Sequence, residues 1–119
     1  MKRSVLVFLT LAVTFLLLSC TTANDFYGTW YVDEGNTRNV IQFSENATGK
    51  DVFVWIVYDI KNDSIKSNNT GYYKVSGDVL IFEGDGENNK FELAFQVEGD
   101  TLILSSESAS LTLEKYTLD

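Results

Sequence analysis

From residue 26 onward, apolar side chains recur at nearly every second position, and Gly, Asn, Asp and Ser cluster between the runs. A period of two is that of pleated strands with one face on a core, whereas a helix repeats every 3.6 residues or so. The segment 90–98 shows it best, with Phe91, Leu93, Phe95 and Val97 alternating with Glu92, Ala94, Gln96 and Glu98. Seven more segments fit the same pattern, at 27–32, 39–44, 52–60, 70–75, 79–83, 101–105 and 110–116. Segments 73–82 and 95–104 repeat one motif: an aromatic-led strand, a Gly-Asp turn at Gly77-Asp78 or Gly99-Asp100, then an apolar strand. Such turns suit type II′ or I′ hairpins, whose twist matches paired strands. Short connections favour antiparallel neighbours in a meander. The polar stretch 61–69 is expected to be a loop at one end. Closing eight strands into a small antiparallel up-and-down barrel removes both exposed edges, and a two-sheet β-sandwich is the alternative.

The first twenty residues follow a different rule. Lys2 and Arg3 precede an apolar run at 5–18, interrupted only by Thr10 and Thr14. A run of about 14 residues is short against the roughly 20 that span a bilayer, and it matches the core of an export signal. Leu17-Leu18-Ser19-Cys20 resembles the bacterial lipoprotein box, in which cleavage precedes the cysteine and its sulfur receives a diacylglycerol. The resemblance implies a signal peptide at 1–19, an acylated Cys20 with a short tether to residue 25, and a β domain at 26–119. It also implies attachment to the bacterial cell envelope, at the outer membrane in a Gram-negative cell. An ordinary secretory signal cut beside a cysteine is the other reading. Cys20 is the sole cysteine, so it cannot form an internal disulfide, and acylation gives an exported thiol a purpose.

Without Lys2 and Arg3, seven basic residues face seventeen acids, a net charge of about −10. That balance disfavours nucleic acid or an anionic membrane surface as partner and is compatible with a basic protein. The sequence contains no histidine, which excludes a histidine general base, a Ser-His-Asp triad and a zinc site of usual composition. The acids fall mostly in turns or at outward strand positions, as on a solvated face, and no enzyme activity is expected. Asp85-Gly86-Glu87-Asn88-Asn89 spaces oxygen ligands like a calcium loop. It lacks the glycine at position six and the acid at position twelve of an EF-hand, so it reads as a hairpin tip. No metal or other cofactor is expected.

Gly28-Thr29-Trp30 opens the first strand and resembles the Gly-x-Trp signature of lipocalins and the wider calycin group. The segment 43–49 and the two Val-x-Gly-Asp-x-Leu hairpins are similar to small lipocalin-like domains of bacterial lipoproteins. The resemblance implies that Trp30 lies at the closed end of the barrel and that a basic residue of the last strand packs across it. By position this is Lys115, where most members carry arginine; a core Trp30 beside a solvated Lys115 is the other reading. It also implies a small apolar ligand inside the barrel. Strands of six to nine residues make a shallow barrel, however, which side chains alone can fill.

The third strand is apolar on both faces. Val52, Val54, Ile56, Tyr58 and Ile60 are assigned to the interior, leaving Phe53, Trp55 and Val57 outward as a candidate binding patch between Asp51 and Asp59. Reversed parity, with Trp55 in the core, and cover by neighbouring side chains are the alternatives. The functional expectation is a lipid-anchored binding protein for a small apolar ligand, or a surface-acting inhibitor or adhesion factor for a basic protein.

Overall fold

The computed structural model describes residues 21–86 and 89–117. The signal segment 1–19 and Cys20 lie outside the described residues. A 3-10 turn, η1 (Ala23–Phe26), precedes eight strands: β1 (Gly28–Glu34), β2 (Thr37–Glu45), β3 (Asp51–Asp59) and β4 (Ser64–Ser76), then β5 (Val79–Gly84), β6 (Lys90–Glu98), β7 (Thr101–Ser105) and β8 (Ser110–Lys115). Each strand pairs with the next, all antiparallel, and β8 returns to β1 to close the barrel. This is the up-and-down barrel, not the sandwich. The closing seam is short, pairing Trp30 with Lys115 and Tyr31 with Glu114, and the Tyr116 N–H donates to the Thr29 carbonyl at 2.7 Å. Gly77 and Gly99 take positive φ at the first central residue of their two-residue hairpins, while Asp78 and Asp100 do not, which is the II′ pattern.

Residues 23–25, expected within the tether, belong to the fold. Thr22 and Asp25 cap η1: the Thr22 N–H donates to the Asp25 carboxylate at 2.8 Å and its carbonyl accepts from the Asp25 N–H at 3.0 Å. The turn then delivers Phe26, fully buried, into the floor of the barrel. The floor is the end that holds the β2–β3, β4–β5 and β6–β7 hairpins; the mouth holds the other four.

The expected loop at 61–69 is mostly strand. β4 starts at Ser64, pairs Asn68 with Ile56 and Asn69 with Trp55, and bulges where β3 passes from Val57 to Tyr58. Both faces of β4 are solvated near the mouth, so no apolar alternation marks it. Its apolar partner β3 supplies the ladder.

Side-chain parity on β3 is the reverse of the expected one. Phe53 is 1% exposed and packs edge-on against Phe82, with ring centroids 4.9 Å apart. Trp55 packs on the core from the same face, whereas Ile60 falls in the turn and is exposed. The register explains this. Phe53 lies opposite Phe43, and Trp55 opposite Ile41. Directly opposed residues share a face, and β2 fixes which one by keeping Ile41 and Phe43 inside and Gln42 outside. Phe53, Trp55 and Val57 therefore form no outer patch, and Val52, Val54, Ile56 and Tyr58 take the outer wall.

Aromatic rings dominate the interior. Phe82 stacks on Phe91 at 4.8 Å and 6°. Phe26 meets Phe95 edge-on at 4.9 Å, and Phe43 meets Tyr73 at 4.8 Å. Among the described residues no polar side chain is buried. Each large apolar side chain so buried contributes about 1.5–3 kcal/mol.

Candidate functional site

At the floor, the main chain and Lys115 enclose Trp30. Its indole N–H donates to the Phe26 carbonyl at 2.8 Å, tying η1 to β1. The Lys115 ammonium stands 5.4 Å from the centroid of the Trp30 ring, within cation–π range. Gly28 is required there. Its φ of +127° disfavours any side chain, and a Cβ would come within 2.9 Å of the Lys115 Cε. Gly28, Trp30 and Lys115 thus form one packed unit.

Two tyrosines join η1 and its exit to the floor. The Tyr73 hydroxyl donates to the Ala23 carbonyl at 2.7 Å. The Tyr27 hydroxyl donates to Asp51 at 2.5 Å and lies 3.4 Å from Glu45. The Asp51 hydrogen bond, with burial and both carboxylate charges behind it, pushes Tyr27 from 10.0 up to about 12. Burial, then the charge of Asp51, raises Tyr73 as well. Both folded values exceed the unfolded ones, so their contribution to stability is complete below about pH 10 and is lost as pH climbs through the folded values. At the acid end the signs reverse. Arg38, bonded to Asp33 at 2.6 Å, holds that carboxyl below its usual range, and the Asn62 amides do the same for Asp59. These contributions are present above the ordinary carboxylate value and fade as pH falls through the lowered ones. The urea midpoint is therefore expected to decline steeply between about pH 10 and pH 12. In Tyr27→Phe that decline should be shallower; an unchanged decline would rule out the Tyr27 contribution.

The mouth is where the interior stops being full. Trp55, Val57, Ser67, Asn69 and Phe91 line an open pocket of about 240 Å3 between β3, β4 and β6. The Trp55 indole lies 6.2 Å from Phe91 and 5.9 Å from Phe82, and its N–H donates to the Asn39 side-chain carbonyl at 3.0 Å. Asn89 donates to the side-chain carbonyl of Asn69 and to the Asp85 main-chain carbonyl, each at 3.1 Å. Asp85 accepts from Thr70 at 2.6 Å, so Asp85 and Asn89 tie β4 to the β5–β6 connection at the rim. No ionisable side chain lines the pocket. An apolar lining with a hydroxyl and an amide at its edge suits binding of a flat apolar group. An apolar cavity of about 150 Å3 already takes benzene, whereas drug-sized ligands need roughly 300 Å3 or more.

A second depression, of about 440 Å3, opens on the outer wall between Val79, Glu92, Ala94, Ser105, Ser106 and Glu107. Its two carboxylates make it the acidic counterpart of the mouth.

Of the residues singled out from sequence, Trp55 and Val57 line the mouth from inside, Phe53 lies deeper in the core, and Gly28, Trp30 and Lys115 share the floor. Sequence reasoning missed Asn39, Ser67, Asn69, Asn89 and Phe91. Phe91 carried a signal, because the alternation of 90–98 already pointed it inward; the polar residues carried none. Comparison with protein-family models, with curated proteins and with solved structures gave no match.

Proposed function

We propose that this chain is a lipid-anchored protein of the bacterial envelope whose barrel binds a small, uncharged, largely apolar ligand at its mouth. The observation that carries the reading is the Trp55–Phe91 pocket, apolar, free of charge and open to solvent. Its volume suits one ring or the end of a longer chain, so the ligand is gripped at one end and the rest stays outside. The anchor rests on Leu17-Leu18-Ser19-Cys20, and on the fact that Cys20 directly precedes the folded part.

The two halves are tested separately. An anilinonaphthalene dye added to the protein should brighten saturably, with micromolar affinity, and the Trp55→Ala variant should lose at least tenfold in affinity, about 1.4 kcal/mol. No saturable signal, or equal binding by the variant, removes the mouth as the site. For the anchor, cells fed a labelled fatty acid should label the wild type, while Cys20→Ser should carry no label and leave the membrane fraction. A wild type without label ends the lipoprotein reading.

A second reading is supported by the acidic depression at Glu92 and Glu107: a basic protein partner inserting a lysine or arginine there. Charge reversal at those two positions distinguishes the readings, because it abolishes such a contact and leaves dye binding at the mouth unchanged.

A further inference from the structure

The charged residues are divided unevenly around the barrel. Outward strand positions on β2–β4 centre on Val40, Val52, Val54, Ile56, Tyr58 and Tyr72 and hold no acidic residue. The strand acids there, Glu45, Asp51 and Asp59, stand at strand ends in the inward phase. Cations rim this wall, along with Asp63, whose carboxylate accepts from the Tyr58 hydroxyl. The Lys50 ammonium lies 5.4 Å over the Tyr72 ring and the Arg38 guanidinium 6.0 Å from the Tyr31 ring, while Lys66 projects from the exposed start of β4. Arg38 and Lys74 also bridge to Asp33 and Glu83 at the two borders of the wall. The opposite wall, β5–β8, carries Glu92, Glu98 and Glu114 outward beside Lys90, along with the Glu107 hairpin.

The chain joins the barrel at the floor, at the end of β2 and β4. η1 packs against β2 and β4, with Tyr73 of β4 bonded to Ala23 and Tyr27 bonded to Asp51 of β3. From Cys20 to Ala23 is three residues, which span about 10 Å at most. A domain attached through Cys20 is therefore held against the bilayer, and one of its faces must meet the headgroups. At a screening length of about 8 Å, turning the acidic wall toward anionic lipid is unfavourable and turning it away largely removes the repulsion. Aliphatic residues bordered by tyrosines, lysines and an arginine are the side chains that suit a headgroup boundary, where long cationic stems lie along apolar surface and their ends reach water or phosphate.

We infer that the barrel lies on its side on a bilayer containing anionic phospholipid, with the outer wall of β2–β4 against the headgroups and β5–β8 facing away. The overall charge of the chain argues against an anionic surface for the molecule as a whole; its distribution confines that objection to β5–β8. The inference rests on the lipid-anchor reading.

The test uses acylated protein, purified from cells fed labelled fatty acid and reconstituted in vesicles of phosphatidylglycerol and phosphatidylcholine. With Cys20 acylated, Ile56→Cys and Ile103→Cys each offer one thiol for an environment-sensitive dye, on the β3 and β7 outer walls. The Ile56 dye should shift to the blue and be quenched by nitroxide-bearing lipid, and the Ile103 dye should remain in water. Lys50→Glu with Lys66→Glu should remove most of the Ile56 shift. If both dyes report water on a chain that carries the lipid label, the orientation is wrong and the anchor stands. If the chain carries no label, both readings fall. Shielding of the Ile56 dye that grows with protein concentration in detergent, without lipid, would assign the wall to a second copy of the chain and overturn the inference.

Discussion

Replacing Trp30 with alanine is expected to cost about 3–5 kcal/mol of folding stability, the range for deleting a buried aromatic side chain. Trp30 is 1% exposed, and its indole carries three separate connections. It fills the floor, bonds the Phe26 carbonyl and lies under Lys115. Small domains are stable by only about 5–15 kcal/mol, so the variant should be marginal at room temperature. Trp30→Phe separates the terms, because it keeps most of the apolar body and removes the N–H. Leaving the Phe26 carbonyl without its donor should cost about 1–3 kcal/mol. Urea unfolding of both variants checks the order. A loss below about 1 kcal/mol for Trp30→Ala would mean that the floor does not need the indole.

The second large effect separates the two faces of β3. Phe53→Ala should cost about 3–5 kcal/mol, because it opens a cavity beside Phe82 in a core without slack. Ile56→Ala, three residues on and on the outer wall, should cost about 1 kcal/mol or less, the span of strand propensity. Equilibrium unfolding of the pair decides. The opposite ranking would restore the outward row of Phe53, Trp55 and Val57.

These two variants also mark where the sequence was legible. The period of two and the turn residues between the runs were sufficient for eight antiparallel strands, and the signal is clearest at 90–98, where one face is apolar and the other polar. Strands β6 and β7 begin and end where the pattern places them. On β3 the same signal was lost, since both faces are apolar and a period of two has no contrast. Only the register with Phe43 and Ile41 resolves it. The start of β4 failed for the converse reason: Ser64 to Asn69 is polar apart from an exposed Ile65 and looks like a loop, yet its ladder is supplied by β3. The floor was accessible through Gly28-Thr29-Trp30, a local motif. The mouth was not, because Trp55, Asn69 and Phe91 come from three strands and meet only when the barrel closes.

The mouth can be read directly from the two indole N–H resonances of the protein, one from Trp30 in the floor and one from Trp55 in the mouth. During titration with 1-naphthol, the Trp55 resonance should move saturably and that of Trp30 should stay in place. A Trp55 resonance that stays in place at saturating ligand, or a Trp30 resonance that moves instead, would contradict ligand binding at the mouth.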